Sequence, residues 1–187
     1  MTTISRELPF PRGTTMSDGA YTPSAGQFSH LVGRRYAVHD ELHGGGDDVV
    51  LRVVENDSAS ALTYSRRCVS FSTGSTTEFG SKVDGIAGTG GEICKPMDDY
   101  YYGKLSSIPA YDLFYVVDEG RCDILTTADS SLEGYHEPVQ MIGNGKIDVA
   151  AANDNVIGET MEPASNTAAS TAVCVYVHQG IYGGGNF

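Results

Sequence analysis

The chain has no tryptophan, and its 187 residues carry only 12 lysines and arginines against 24 aspartates and glutamates. The formal charge of −12 argues against a surface that grips nucleic acid, because phosphate binding needs clustered cations. The two basic pairs, Arg34-Arg35 and Arg66-Arg67, do not extend into a patch. There is no run of 18 apolar residues, so no membrane-spanning helix is expected. The opening "MTTISRELPFPRGTT" lacks the apolar core of a secretory leader. The expectation is therefore a chain made and folded in a cytoplasm. Cysteine is scarce: Cys68, Cys94, Cys122 and Cys174, with no C-x-x-C among them, which argues against a zinc knuckle. Their surroundings, such as "RRCVSF" and "AVCVYV", read as strand, and the cysteines as small buried hydrophobes rather than disulfide partners. No 12-residue stretch carries a helical period.

Glycine (23 residues) and tyrosine (11) are abundant, and charged residues make up only 19%. Such a chain favours short strands and many turns. Residues 1–33 differ from the rest. Their prolines, glycines and serines exclude helix and central strand, so they read as an extended N-terminal arm. Leu8, Phe10, Tyr21 and Phe28 are spaced along it as anchors for a partner; a solvated tail is the other reading. Residues 34–187 read as a β-rich body with a short glycine-rich tail, "GGGNF". Within it "DDVVLRVVEN" has the valine content of a strand covered on both faces. "RCVSFST", "KVDGIA", "NVIGETMEP" and "TAVCVYVHQGIY" follow as further strands. Two hairpins are expected. One is "LFYVVDEGRCDILT", turning at Asp118-Glu119-Gly120; the other is "PVQMIGNGKIDVAA", turning at Asn144-Gly145. Strands of this length and spacing point to an all-β fold, a small antiparallel β-barrel or sandwich with little helix.

The search for chemistry finds letters without context. "DVAAANDNVIGE" spans twelve residues from Asp148 to Glu159, the length of a calcium loop, but Asn153 stands where glycine is required and strands flank it. Its acids and amides read better as a turn. "HDELH" (His39 to His43) resembles a zinc-protease motif, yet its second residue is Asp and no helical period surrounds it. "GIAGTGGE" has no lysine-serine or helix after it to hold a phosphate, and no G-x-S-x-G occurs. Asp98-Asp99 and Asp118-Glu119 read as solvated turn carboxylates. No catalytic residue, metal site or cofactor is assigned.

The order of "VVLRVVENDSASAL", "RCVSF", "KVDGIAG", "IPAYDLFYVVDEGRCDILT", "EPVQMIGNGKIDVAAANDNVIGETMEPA" and "TAVCVYV" resembles small β-rich virion proteins of tailed phages, the capsid decoration or cement class. The resemblance covers residues 36 to 178. It implies a non-enzymatic protein on the outer surface of an icosahedral head. There it would bind the major capsid protein, brace neighbouring subunits against internal DNA pressure and assemble as a homotrimer, without nucleic acid or membrane. The acidic charge suits an outward position. The residues expected to touch the capsid are Leu8, Phe10, Tyr21 and Phe28 of the arm and the loop tyrosines Tyr100, Tyr101 and Tyr102. A tail or head-fibre module that binds a host glycan, or a small β-barrel enzyme, are the alternatives.

Overall fold

The computed structural model describes residues 6–18, 21–43, 46–63, 65–72, 81–88, 93–98, 107–128, 131–151, 154–164 and 171–178. Among them there is no helix, and the fold is all-β. The strands are β1 (Arg35–His39), β2 (Asp48–Asn56), β3 (Leu62–Thr63), β4 (Cys68–Phe71), β5 (Lys82–Ile86) and β6 (Cys94–Pro96). They continue with β7 (Ser107–Ile108), β8 (Leu113–Leu125), β9 (Pro138–Gly143), β10 (Lys146–Val149), β11 (Val156–Thr160) and β12 (Ala172–Val177). The main sheet runs β10-β9-β11-β12-β8-β2-β5-β4-β6, with β1 beside β2.

One expectation needs correction here. The sheet is mixed rather than purely antiparallel, because β2 and β5 run parallel through Glu55↔Lys82 and Asn56↔Val83. Of the two forms expected, barrel or sandwich, the fold is the sandwich-like one, because the sheet is not closed into a barrel. Isolated bridges at Met97↔Val116 and Thr126↔Ile147 join its two ends to the middle.

β8 organises the rest. Its first half, through Glu119, pairs with β2, and its second half, from Gly120, pairs with β12. The hairpin expected at Asp118-Glu119-Gly120 does not exist: these residues lie inside one continuous strand. The turn-like letters serve a bulge instead. The register slips between Val50 and Leu51, which pair with Glu119 and Val117, and Asp118 is the extra residue. A bulge bends its strand and increases its twist. Gly120, at φ +108°, completes the bend, and a Cβ there would stand 3.1 Å from the Val49 Cα. A bent strand serves two groups of neighbours, whereas a reversed one would serve itself.

Side-chain alternation along β2 and β8 builds two cores. Val49, Leu51, Val53, Leu113, Tyr115 and Val117 face one, together with Val173, Val175 and Val177 of β12. Val54, Phe114 and Val116 face the other, with Val69, Phe71, Val83 and Met97. The valine-rich β2 is thus covered on both faces, as its composition predicts.

The Asn144-Gly145 turn is present, with φ of +51° and +67°, the mirror-image geometry that a two-residue hairpin prefers. Its tip is locked to the other half of the molecule. The Cys68 N–H donates to the Gly145 carbonyl at 2.8 Å, and the Gly145 N–H to the Ala87 carbonyl at 2.7 Å.

Candidate functional site

Residues 6–18 and 21–34 do not project. They run as turns along the body, held by buried carboxylates that sequence reasoning treated as solvated or overlooked. Asp98 and Asp112 are fully buried, and Glu55 is nearly so. The Arg12 guanidinium forks onto Asp98, its terminal nitrogen 2.7 Å from Oδ1 and its Nε 3.2 and 3.3 Å from the two oxygens, and the Gly13 N–H donates to Oδ2 at 3.2 Å. Ser17 donates to Asp112 through both its hydroxyl and its backbone N–H. The Gly26 N–H donates to Glu55 at 3.4 Å. A carboxylate accepting charge-assisted bonds away from water holds more strongly than a neutral acceptor.

Phe10 is the apolar counterpart. Its ring stacks on Tyr115 with centroids 4.2 Å apart, and the Tyr115 hydroxyl donates to the Phe10 carbonyl at 2.7 Å. Burial holds the Tyr115 phenol above its ordinary range. Burying a phenylalanine contributes about 2–3 kcal/mol, and an aromatic pair about 1 kcal/mol more. Of the arm residues expected to meet a partner, Phe10 is thus enclosed by the chain's own core. Leu8 and Phe28 are half-buried against it, and Tyr21 faces solvent, about half exposed, its hydroxyl meeting the Gln27 amide. Tyr100, Tyr101 and Tyr102 lie outside the described residues. Leu42, Tyr135 and Ile142 are further large exposed apolar side chains that sequence reading did not single out. Tyr135 was findable as an aromatic in the polar stretch "SSLEGYHE".

A second buried charge cluster lies at the bulge. Arg35 Nε is 2.6 Å from Asp118, and an Arg52 terminal nitrogen is 3.0 Å from both Asp118 oxygens. Lys95 Nζ lies 4.0 Å from Asp118 Oδ1 and donates to the carbonyls of Asp118 at 2.9 Å and His178 at 2.7 Å. The turn carboxylate expected at Asp118 is a buried counter-ion.

Burial pulls the Lys95 ammonium down from 10.5 to about 8, with Asp118 opposing the shift. Between these values the unfolded chain binds the proton and the folded one does not, so this group makes stability rise with pH. Burial pushes the Cys174 thiol up from 9.0 to about 12. Cys68 is also raised, by the neighbouring Cys94 and then by burial. These thiols make stability fall above pH 9, as the unfolded thiols ionise first. Denaturation midpoints should therefore climb between pH 8 and 9, with a Lys95 contribution of about 1 kcal/mol, and turn over above it. Lys95→Met should remove the climb; a variant that climbs like the parent would show that Lys95 is not its source.

In the calcium-like stretch the Asp154 N–H donates to the Ala151 carbonyl at 3.2 Å. Asp154 Oδ2 accepts from the Ala151 N–H and the Gln140 amide, both at 2.6 Å. Asp148 accepts from Ser131, Thr127 and its neighbour Val149. The "HDELH" pair separates: His39 is exposed, 3.9 Å from Asp48, whereas His43 folds inward. His43, Asp123 and Cys174 bring one ligand atom each within 4.8 Å of one another. None of the four cysteines is in a disulfide; Cys68, Cys94 and Cys122 are buried and Cys174 half-buried.

The chain is similar to a bacteriophage head-fibre base. The solved structure is described as the head fiber gp8.5 N base in bacteriophage phi29; identity is 13%, coverage is 68% of this chain and 94% of that one, and the TM-score is 0.41. No family model and no curated protein matches.

Proposed function

We propose that this chain is a structural protein of a tailed-phage head. In this reading it adheres to the outer surface and braces contacts between major capsid subunits, as a homotrimer, without catalysis. The observation that carries the reading is the strand order. The segments at 48–56, 68–71, 82–86, 113–125, 146–149, 156–160 and 172–177 form strands in the sequence of elements on which the likeness to cement proteins rests. Two features support it. The charge of −12 suits an outward surface rather than a DNA-facing one. The strapped N-terminal segment makes the body a preorganised block, which lowers the ordering cost of docking.

Tyr21 and Tyr135, exposed and aromatic, are the side chains best suited to meet the shell. Phe10 would contribute indirectly, by holding the segment that carries Tyr21. The test is sedimentation of the purified chain with capsids assembled without it. Binding should be saturable and should raise the capsid rupture temperature. Tyr21→Ala or Tyr135→Ala should weaken binding roughly 5- to 30-fold, the effect of losing about 1–2 kcal/mol. A chain that stays in the supernatant at every capsid concentration would end the proposal, and retention on a glycan array would favour the fibre alternative.

A further inference from the structure

The geometry points to a transition-metal site of the zinc class, built from His43 Nε2, Asp123 Oδ1 and Cys174 Sγ. Asp123 on β8 and Cys174 on β12 are direct register partners, so their side chains stand together on one face of that ladder. Residues 40–43, after β1, bring His43 to this face, where its carbonyl accepts from the Arg121 guanidinium at 3.0 Å. His43 Nε2 lies 3.3 Å from Asp123 Oδ1. A four-coordinate ion with bonds of about 2.0–2.3 Å holds its ligand atoms roughly 3.3–3.8 Å apart. The pair is already at that spacing, and Cys174 is within reach of both.

The surroundings are those of a supported ligand. His43 Nδ1 is 3.1 Å from both oxygens of Asp40. Asp40 is buried and also accepts from the backbone N–H of Leu42 and His43, which fixes its position. Nδ1 therefore carries the hydrogen and Nε2 is left to face Asp123, the histidine–carboxylate arrangement that orients metal-bound imidazoles. With Nδ1 toward Asp40, Nε2 and Asp123 Oδ1 stand 3.3 Å apart, a spacing that one cation can bridge. Arg66 lies 3.7 Å from Asp123 Oδ2, leaving Oδ1 for the site. The sulfur decides in favour of the metal: a half-buried thiol beside an imidazole and a carboxylate is a mixed donor set that a borderline-soft divalent ion prefers. On binding, the Cys174 S–H bond breaks, a sulfur–metal bond forms and the proton leaves to solvent. Because the thiol loses its proton on binding, uptake weakens as pH falls. A water completes the fourth position.

The test uses the full chain with Co2+ and then Zn2+, after treatment with a chelator. Co2+ should give the near-ultraviolet thiolate charge-transfer band and the visible bands of a four-coordinate ion, and Zn2+ should displace it at a stoichiometry of one. Cys174→Ser should abolish the charge-transfer band. Asp40→Asn should weaken affinity about 10- to 100-fold, as loss of such an orienting partner does elsewhere. Because Cys174 is half-buried and outside both apolar clusters, its variant should fold; circular dichroism and denaturant midpoint check this. The proposal is overturned if Co2+ produces no thiolate band, or if the band survives in folded Cys174→Ser.

Discussion

Asp118→Ala should destabilise the protein by about 3–5 kcal/mol. The carboxylate is buried among Arg35, Arg52 and Lys95. Another acid, Glu119, is 3.9 Å from Arg35 and partly exposed. Removing Asp118 takes from Arg35, Arg52 and Lys95 the carboxylate they share, at a place with little water to screen their charges. The penalty is the stranded charge rather than the worth of the pair, so it is not recovered by restoring shape alone. Asp118→Asn should therefore cost nearly as much as Asp118→Ala. Adding Arg52→Met and Lys95→Met to Asp118→Leu should recover much of the loss, because a well-packed apolar replacement of a buried ion cluster is often neutral. Urea titration of the four proteins measures this. If Asp118→Asn lay within about 0.5 kcal/mol of the parent, the size of an ordinary surface change, the cluster would not have the structural weight assigned to it.

Gly145→Val should lower stability by about 2–5 kcal/mol, the sum of a left-handed backbone penalty of about 1–2 kcal/mol and an overpacking penalty of about 1–3 kcal/mol. The residue sits at φ +67°, and even a single added Cβ would stand 2.7 Å from Arg67 Cβ, 2.7 Å from the Cys68 carbonyl and 2.9 Å from Ile86 Cγ2. Two of these neighbours, a backbone carbonyl and the first atom of a side chain, cannot swing aside. Relief would require withdrawing the hairpin, which breaks both inter-segment bonds to Cys68 and Ala87. Asn144→Gly is the contrasting change. It keeps the turn, loses the 3.0 Å contact with Arg67, and should cost only a few tenths of a kcal/mol. Equal midpoints for Gly145→Val and the parent would mean that the tip is not wedged.

The strands were legible because valine content and glycine turns report directly on local backbone. β2, β4, β5, β11 and β12 lie where the sequence places them, and Asn144-Gly145 turns as its letters require. The error at Asp118-Glu119-Gly120 has a specific cause. A bulge and a hairpin both need a glycine of positive φ next to polar residues, and only long-range pairing distinguishes them. β8 has β2 on one half and β12 on the other, partners about 60 residues before and 50 after it. Asp98 and Asp118 were misread for the same reason. Whether a carboxylate is solvated depends on a guanidinium that comes from 86 residues away for Asp98 and 66 for Asp118, and no local window contains it. The His43 site was half legible. Its histidine stood in a noticed motif, but Asp123 and Cys174 are joined only by strand register.

The stacking of Phe10 on Tyr115 across 105 positions sets the order in which the protein can be completed. A ribosome adding about 5–20 residues per second releases Phe10 roughly 5–20 seconds before its partner ring exists. A segment born well before its partner thus settles late, and until then its aromatic waits in solvent where a chaperone, or a neighbouring nascent chain, can reach it.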